Sequence, residues 1–217
     1  MISVERSPVA PRILTESTAE DRYRHREVFE RLKEDFHGKC YICETTPLQD
    51  PEVEHLLPHK KGAFPERKFD WNNLFLCCRH CNSVKNKAKY DGQVIDCCVR
   101  DPEELLEQEL VEDTVSVRVV DAGDDEAVGT AELIEEVFMS SNPPLREHAS
   151  KVRLEELQTR MNLLYKALGA YQKNAGDSIA RRNVRSMLKK ESKYAGFTRC
   201  YVRKNLTMYP ELAQYLD

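Results

Sequence analysis

The sequence predicts an α+β fold in which a small module of two short strands and one helix is embedded in a mainly α-helical protein. Two Cys-x-x-Cys pairs bracket short apolar runs and tight turns between residues 39 and 89. From Thr130 onward the apolar residues follow helical spacing, with breaks at SSNPP, at NAGDS and around Gly196. A chain of 217 residues that is 41% hydrophobic and 32% charged can bury one sizeable hydrophobic core, with or without a second, smaller core.

The elements outside the cysteine-rich segment follow from local patterns. Residues 1–16 contain two prolines and no apolar period, which predicts a flexible N-terminal lead. The next segment, STAEDRYRHREVFERLKEDFHG, has a capping box and an apolar stripe, which predict a helix from about residue 18 to residue 36. The alternation of VSVRVV at 115–120 indicates a strand, and the spacing of residues 146–173 is typical of a long amphipathic helix.

The net charge of −4 conceals three blocks of opposite sign. Residues 59–89 hold eight Lys or Arg against two acids, and residues 146–204 hold fifteen against five. Between them, residues 101–136 hold fourteen acids and one Arg. Basic faces attract phosphate through their local potential and through counterion release, so the overall charge does not exclude a nucleic-acid partner. An ordinary solvated helical surface explains the C-terminal basic block equally well.

The sequence indicates a soluble protein. No apolar run approaches the roughly 20 residues that cross a bilayer, and the opening MISVERSPVAPRIL lacks the features of a secretory signal. We therefore expect a cytoplasmic location and no membrane partner. In that reducing compartment eight cysteines are not expected to form a disulfide framework, so metal binding is the first function to consider for them.

Four of the cysteines have the spacing of a structural zinc site. Cys40 and Cys43 form one pair, Cys78 and Cys81 form the other, and thirty-four residues separate the pairs. Each pair lets a tight turn aim two thiolates at one point, and two pairs complete a tetrahedral site with no open position. We expect Zn²⁺ to hold together a module whose own core is too small to fold unaided.

The segment between and after these pairs resembles the HNH endonucleases. It contains EVEHLLPHKK and DWNNLFLCCRHCNSVKNK, in which EH, NNL and CN followed by Lys fall in register with the four cysteines. The resemblance implies a ββα-metal module, with two strands and a helix around one divalent ion. It also implies an enzyme that hydrolyses the phosphodiester bonds of nucleic acid, most simply DNA.

The resemblance assigns a role to four residues. His55 would take the proton of the attacking water, and Asn73 would orient the imidazole directly or through a backbone group. Glu54, where many members carry aspartate, and Asn82, at the last motif position, would offer oxygen ligands to a catalytic Mg²⁺ or Mn²⁺. Neighbouring strand residues point to opposite faces, so Glu54 and His55 would share one site only if the strand bends there.

Basic residues around these positions are candidates for contact with the phosphate backbone. Their clustering beside the motif favours that role, although each can equally be an ordinary solvated lysine. The expected contacts are Lys60, Lys61, Lys85 and Lys89.

The C-terminal half carries a second, looser resemblance. An HNH module followed by an acidic stretch and a helical tail with AGFTRCYVRKNL resembles the PtuB-type proteins of the Septu antiphage systems. These work beside an ABC-type ATPase, PtuA, and in some systems with a retron. The local patterns divide the chain into an N-terminal lead at 1–16, a segment with a leading helix at 17–100 and a mainly helical region at 101–217. The resemblance implies that the second is the nuclease domain and that the third binds a partner or nucleic acid. The chain has no Gly-rich loop with Lys and Ser or Thr, so any ATP dependence would come from the partner.

Two alternatives stay open. A non-catalytic zinc module that binds nucleic acid or protein would need the four cysteines but not the Glu-His-Asn-Asn set. A nuclease that acts alone, as restriction enzymes do, would need an element that reads sequence in a groove, and the basic C-terminal helices could supply one.

Overall fold

The structure is a computed structural model that describes residues 1–174 and 176–216; the side chain of Lys61 also lies outside the description. Helices dominate, and short 3-10 turns connect several of them. None of the helices in these ranges has the length and apolar character that a membrane crossing requires. The elements are α1 (Ile13–Glu16), α2 (Arg26–Asp35), β1 (Pro51–His55), α3 (Pro65–Lys68), β2 (Leu74–Cys78), α4 (Arg79–Lys85), α5 (Pro102–Leu105), β3 (Leu106–Val111), β4 (Thr114–Val119), α6 (Asp125–Met139), α7 (Pro144–Lys173), α8 (Ser178–Leu188) and α9 (Ala195–Lys204).

The strands form two separate two-stranded antiparallel sheets, and together with the helices they confirm the α+β fold class. In the first sheet β1 pairs with β2 in an unbroken register from Pro51 opposite Cys78 to His55 opposite Leu74. All five residues of β2 are buried, and α4 begins directly after it. The sulfur of Cys78 caps this helix, because it accepts a hydrogen bond from the backbone N–H of Cys81 at 3.4 Å. Two strands and a helix therefore follow one another here, as the sequence predicts.

The N-terminal segment differs from the expected flexible lead. Met1, Ile2 and Val4 are buried, and the backbone N–H of Val4 donates to the carbonyl of Cys97 at 2.9 Å. The predicted helix is also shorter, since α2 begins at Arg26 and a 3-10 turn occupies 22–24. The apolar residues of the lead have no regular spacing, so periodicity did not indicate that some of them enter the core.

The C-terminal region follows the predicted helical pattern. The long amphipathic helix is α7, whose buried stripe packs against α6 and α8. The strand expected at 115–120 is β4. Its partner β3 was not expected, because the sequence LEQELV lies in the acidic block and only Leu106 and Gln108 of its alternating residues are buried.

A buried polar centre joins distant parts of the chain. Glu44, directly after the first cysteine pair, accepts a hydrogen bond from the backbone N–H of Gly196 at 2.9 Å and forms ion pairs with the α-amino group of Met1 at 3.0 Å and with Lys39 at 3.1 Å. Burial alone would raise the pKa of Glu44, but these two cations lower it to about 2. Gln108 of β3 completes the centre by donating to the carbonyl of Met1 at 2.7 Å.

A second buried charge fixes the end of the chain. Arg199 of α9 is only 2% exposed, and its Nε donates to Glu103 at 2.9 Å. Its Nη1 donates to the carbonyls of Leu188 at 2.8 Å and Tyr215 at 3.2 Å. One guanidinium thus ties α9 to α5, to the end of α8 and to the C-terminal turn, which explains why a basic residue interrupts the buried face of AGFTRCYV.

We predict that Gly196→Ala destabilises the protein. An added Cβ would lie 2.5 Å from Nε2 of Gln108, 2.7 Å from Oε1 of Glu44 and 2.8 Å from the carbonyl of Met1. Crowding of this kind lowers the free energy of unfolding by about 1–3 kcal/mol, which urea denaturation measures.

The matched control is Gly169→Ala in α7, where an added Cβ meets no atom within 4 Å. Alanine is the better helix former, so this variant should gain about 0.5–1 kcal/mol. Equal responses of the two variants would mean that the polar centre is not tightly packed.

Candidate metal centre and active site

The four predicted cysteines come together in the core. Cys40 and Cys43 lie in the loop before β1, Cys78 ends β2, and Cys81 lies in the first turn of α4. Their sulfur atoms all lie within 4.8 Å of one another, and each residue is buried. Four thiolates at about 2.3 Å from a central ion form the tetrahedral set that structural zinc takes in proteins. The donor set fits, so these residues could hold a zinc ion.

An arginine that sequence reasoning missed lies against this cluster. Arg153 extends from α7, and its Nη2 donates to the sulfur of Cys78 at 3.3 Å. Burial lowers the pKa of Arg153, but the charges of the cysteine sulfurs outweigh burial and raise it. A cation here offsets part of the negative charge of the thiolates and connects the long helix to the cluster. Seventy-one residues separate Arg153 from Cys81, so no local pattern indicated the contact.

His55 is held in one tautomer. Its Nε2 lies 3.0 Å from the carbonyl oxygen of Lys68, which can only accept, so Nε2 carries the proton of the neutral ring. The imidazole packs edge-on against Tyr23 and His59, with 4.9 Å between ring centroids in each case. Burial lowers the pKa of His55 below its ordinary value. The Nδ1 atom of a neutral ring in this tautomer has its lone pair available to accept a proton.

Asn73 orients His55 indirectly. The Asn73 side chain is buried; its Oδ1 accepts from the backbone N–H of Leu57 at 2.7 Å, and its Nδ2 donates to the carbonyls of Leu57 and Arg67, both at 2.9 Å. These contacts fix the loop between β1 and α3. Because the neighbour of Arg67 is Lys68, whose carbonyl accepts from His55, the amide determines the position of that carbonyl.

Glu54 lies in a buried ion pair on the other face of β1. Its Oε1 is 2.5 Å from the ammonium of Lys85, and its Oε2 accepts from the hydroxyl of Tyr41 at 2.9 Å. Burial raises the pKa of Glu54, and the Lys85 and Tyr41 contacts oppose that rise. Lys85 also donates to the carbonyls of His55 and Leu56. Both oxygens of Glu54 therefore have protein partners, and Lys85 is not presented to solvent.

The side chain that contacts Asn82 is Glu52. The amide of Asn82 donates to Oε2 of Glu52 at 2.6 Å. Strand residues two apart share a face, so Glu52 and Glu54 both face α4, where Asn82 and Lys85 lie one turn apart. The regular register leaves His55 on the opposite face, without the bend that the sequence argument requires. In the sequence, the alternation of EVEH places Glu52 on the same face of the strand as Glu54. This alternation could have identified Glu52 as a candidate site residue.

Glu52 and Asn82 line an open cleft of about 500 Å³ together with Arg24, Phe29 and Val53. Carboxylate and amide oxygens suit a hard divalent ion, so this pair fits Mg²⁺ or Mn²⁺ by its chemistry. Among the described residues, the four cysteines are the one group of three or more Cys, His, Asp or Glu side chains close enough to share an ion. A hard ion in the cleft would accordingly take few protein ligands.

The expected phosphate-contacting lysines have acidic partners. Lys60 pairs with Asp91 at 3.0 Å, and Lys89 pairs with Glu136 at 3.2 Å. Lys85 is buried, as described above, and the side chain of Lys61 lies outside the described part of the chain.

One comparison with known proteins finds a similar protein. The chain is similar to Septu protein PtuB of Bacillus mycoides (strain KBAB4). The two are 27% identical over 118 residues, an alignment that covers 40% of this chain and 40% of that protein. The chain thus spans well under two thirds of the length of the relative it matches. No protein-family model and no solved structure matches the chain.

We predict that Cys78→Ser abolishes stoichiometric zinc binding and lowers the melting temperature sharply, because three thiolates hold the ion less well, whereas the serine hydroxyl can still cap α4. Zinc content by mass spectrometry and thermal melting check both effects. Cys98→Ser, at a half-buried cysteine outside the cluster, is the control and should retain one zinc per chain. Unchanged zinc content in Cys78→Ser would contradict the assignment.

Proposed function

We propose that this protein is a metal-dependent HNH-type endonuclease that hydrolyses phosphodiester bonds of DNA. In this proposal it is the effector of a Septu-like antiphage system. The observation that carries the proposal is the tautomer of His55, whose Nδ1 is free to accept a proton. Glu52 and Asn82 line a cleft on the other face of the same strand, so the proposal requires one phosphate to be reached from both faces at the end of β1, where His55 is the last residue.

The side chains have separate tasks in the proposed reaction. His55 takes a proton from water at Nδ1 as the water oxygen bonds to phosphorus and the opposite P–O bond breaks. Burial lowers the pKa of His55, so the ring is neutral at neutral pH and ready to accept the proton. Asn73 keeps the Lys68 carbonyl in place by donating a hydrogen bond to the carbonyl of the preceding residue, Arg67. Glu52 and Asn82 would hold a Mg²⁺ or Mn²⁺ ion, which would supply positive charge for the phosphate and the leaving oxygen.

The four cysteines have a structural task in the same proposal. Zn²⁺ bound to Cys40, Cys43, Cys78 and Cys81 cross-links the loop before β1 to the end of β2 and the start of α4. This cross-link fixes the helix that carries Asn82 against the strand that carries Glu52 and His55.

The proposed partner is an ABC-type, PtuA-like ATPase. The name of the similar Bacillus protein, a Septu protein, supports this part of the proposal. The region 101–217 supplies the docking surface, and the ATPase gates cleavage.

One observation favours a second candidate, a non-catalytic zinc module that binds nucleic acid. Both oxygens of Glu54 are already engaged by Lys85 and Tyr41, so the carboxylate that the HNH resemblance assigns to the metal is committed to the protein interior.

We predict that the protein cleaves plasmid or phage DNA with Mg²⁺ or Mn²⁺, alone or with its ATPase, and that His55→Ala removes this activity while the variant still folds, as its circular dichroism spectrum would show. Removal of a general base costs about 10²–10⁴-fold in rate. The control is His148→Ala on the exposed surface of α7, which should cleave as the wild type does. Equal cleavage by wild type and His55→Ala would contradict the assignment, and no cleavage by the wild type in any condition would favour the second candidate.

A second pair of variants identifies the carboxylate that binds the ion. We predict that Glu52→Gln weakens Mn²⁺ binding, measured by electron paramagnetic resonance, while its melting temperature stays close to that of the wild type. Glu54→Gln should instead lower the melting temperature, because it leaves the Lys85 ammonium buried without its carboxylate. Loss of Mn²⁺ binding in a stable Glu54→Gln variant would assign the ion to Glu54, as the HNH resemblance implies.

A further inference from the structure

Two adjacent cysteines outside the metal centre, Cys97 and Cys98, lie in the middle of a tight turn. The backbone N–H of Val99 donates to the carbonyl of Asp96 at 3.0 Å, so the cysteines occupy the two central positions of this turn. The carboxylate of Asp96 also accepts from the backbone N–H of Cys98 at 2.8 Å. Cys97 is buried, whereas Cys98 is half-buried. Both line an open cleft of about 930 Å³, and Arg6 lines it with them.

From this placement we propose that Cys97 and Cys98 are a peroxide-reactive thiol pair that closes to a reversible disulfide between adjacent residues. Cys98, the more exposed thiol, attacks the peroxide, and Cys97 resolves the product. The proposed nuclease chemistry uses neither thiol, so this inference does not rest on it.

The surroundings of Cys98 favour its thiolate. A hydrogen bond from Cys97 lowers the pKa of the Cys98 thiol and the charge of Arg6 lowers it further, whereas burial and the charge of Asp96 oppose this effect. The hydrogen bond to Cys98, together with burial, raises the pKa of Cys97. Reactive cysteines have a low pKa and lie in partly exposed, electropositive positions. The pair therefore combines one thiolate with one neutral thiol that can donate to it.

Arg6 is fixed in place beside the pair. Its Nη1 donates to the carbonyl of Trp71 at 2.8 Å, and its Cζ lies 5.0 Å from the ring centroid of Trp71 and 4.7 Å from that of Phe75. Its Nε and Nη2 are withdrawn from solvent and have no hydrogen-bond partner among the described residues. Buried donors without a partner are unfavourable. A sulfenate oxygen formed at Cys98 would give this guanidinium an acceptor.

Hydrogen peroxide is the oxidant in the proposed reaction. The Cys98 sulfur attacks one peroxide oxygen; an S–O bond forms, the O–O bond breaks, and the departing hydroxide takes up the proton that the Cys98 thiol has lost. The sulfur is thereby oxidised by two electrons to a sulfenic acid. The Cys97 sulfur then attacks the Cys98 sulfur; an S–S bond forms, the S–O bond breaks, and the Cys97 proton leaves with the hydroxide as water. Two thiols and one peroxide thus give one disulfide and two waters.

The turn separates this pair from the other adjacent cysteines of the chain, Cys77 and Cys78. Those two lie in β2, where successive side chains point to opposite faces and cannot join. A turn does not impose that alternation. Adjacent Cα atoms are about 3.8 Å apart, slightly closer than in most disulfides, so the ring that Cys97 and Cys98 would close is strained. Strained disulfides are the ones that thiols reduce most readily, which makes this bond reversible.

The test treats the full-length, zinc-loaded protein with hydrogen peroxide, then alkylates it in denaturant and digests it with trypsin. Cys97 and Cys98 fall in one tryptic peptide, residues 90–100, which contains no other cysteine. We expect this peptide to escape alkylation and to lose two hydrogens, about 2 Da, and we expect dithiothreitol before alkylation to reverse the change. The internal control is the peptide of residues 69–79, whose cysteines are Cys77 and Cys78 and which should not lose two hydrogens.

Variants assign the two roles. In Cys97→Ser the sulfenic acid has no resolving thiol, so dimedone should label residue 98, whereas Cys98→Ser should give no label at residue 97. Arg6→Gln, shown to be folded by circular dichroism, should slow the loss of hydrogens about three- to tenfold, because the thiolate fraction falls tenfold for each unit that the pKa rises. Cys200→Ser is the control and should react as the wild type does, since Cys200 is buried and its burial raises the pKa to about 11.

Three outcomes would overturn the proposal. One is a peptide 90–100 that keeps both hydrogens in peroxide, and another is an equal loss of hydrogens from the peptide 69–79. The third is dimedone labelling that is as fast at residue 97 of Cys98→Ser as at residue 98 of Cys97→Ser. None of these measurements depends on DNA cleavage, so they are decided separately from the proposed function.

Discussion

The arrangement of the protein depends on four sulfur atoms being held within 4.8 Å of one another. They come from the loop before β1, from the end of β2 and from the first turn of α4, so the cluster joins each part of the strand–strand–helix unit. Thiolates repel one another at such distances, and a bound dication turns that repulsion into a cross-link. The guanidinium of Arg153 extends the same electrostatic arrangement to α7 and so connects the C-terminal helices to the unit.

The position of α4 determines what the neighbouring strand can do. With the helix fixed, Asn82 and Lys85 face the side of β1 that carries Glu52 and Glu54. The Asn82 amide donates to Glu52, and the Lys85 ammonium forms an ion pair with Glu54. The buried pair of Glu54 and Lys85 holds helix and strand together. Glu52 and Asn82, nearer the surface, are left beside an open cleft. His55 lies on the other face, and a loop fixed by Asn73 orients it. In one short strand, Glu54 thus has a structural role, whereas Glu52 and His55 have the roles that the proposed chemistry requires.

Local patterns in the sequence were sufficient for part of this description. Cysteine spacing predicted the cluster, helical periodicity predicted α7, and the motif residues after each cysteine pair predicted a strand–strand–helix unit. The remaining contacts join residues that are far apart in sequence. Arg153 meets Cys78, Gly196 meets Glu44, and Arg199 meets Glu103, and each pair depends on how helices pack rather than on any local period. Glu52 was within reach of sequence reasoning, because residues two apart on a strand share a face. Its partner was not evident until the unbent register of β1 was known.

The central claim is that the four sulfurs bind one zinc ion as a closed site. X-ray absorption at the zinc edge of the purified protein tests it most directly, because the first coordination shell reports both the identity and the number of the ligand atoms. The account predicts one shell of four sulfur atoms at about 2.3 Å. A shell that contains nitrogen or oxygen, or a protein that folds with no zinc at all, would contradict it.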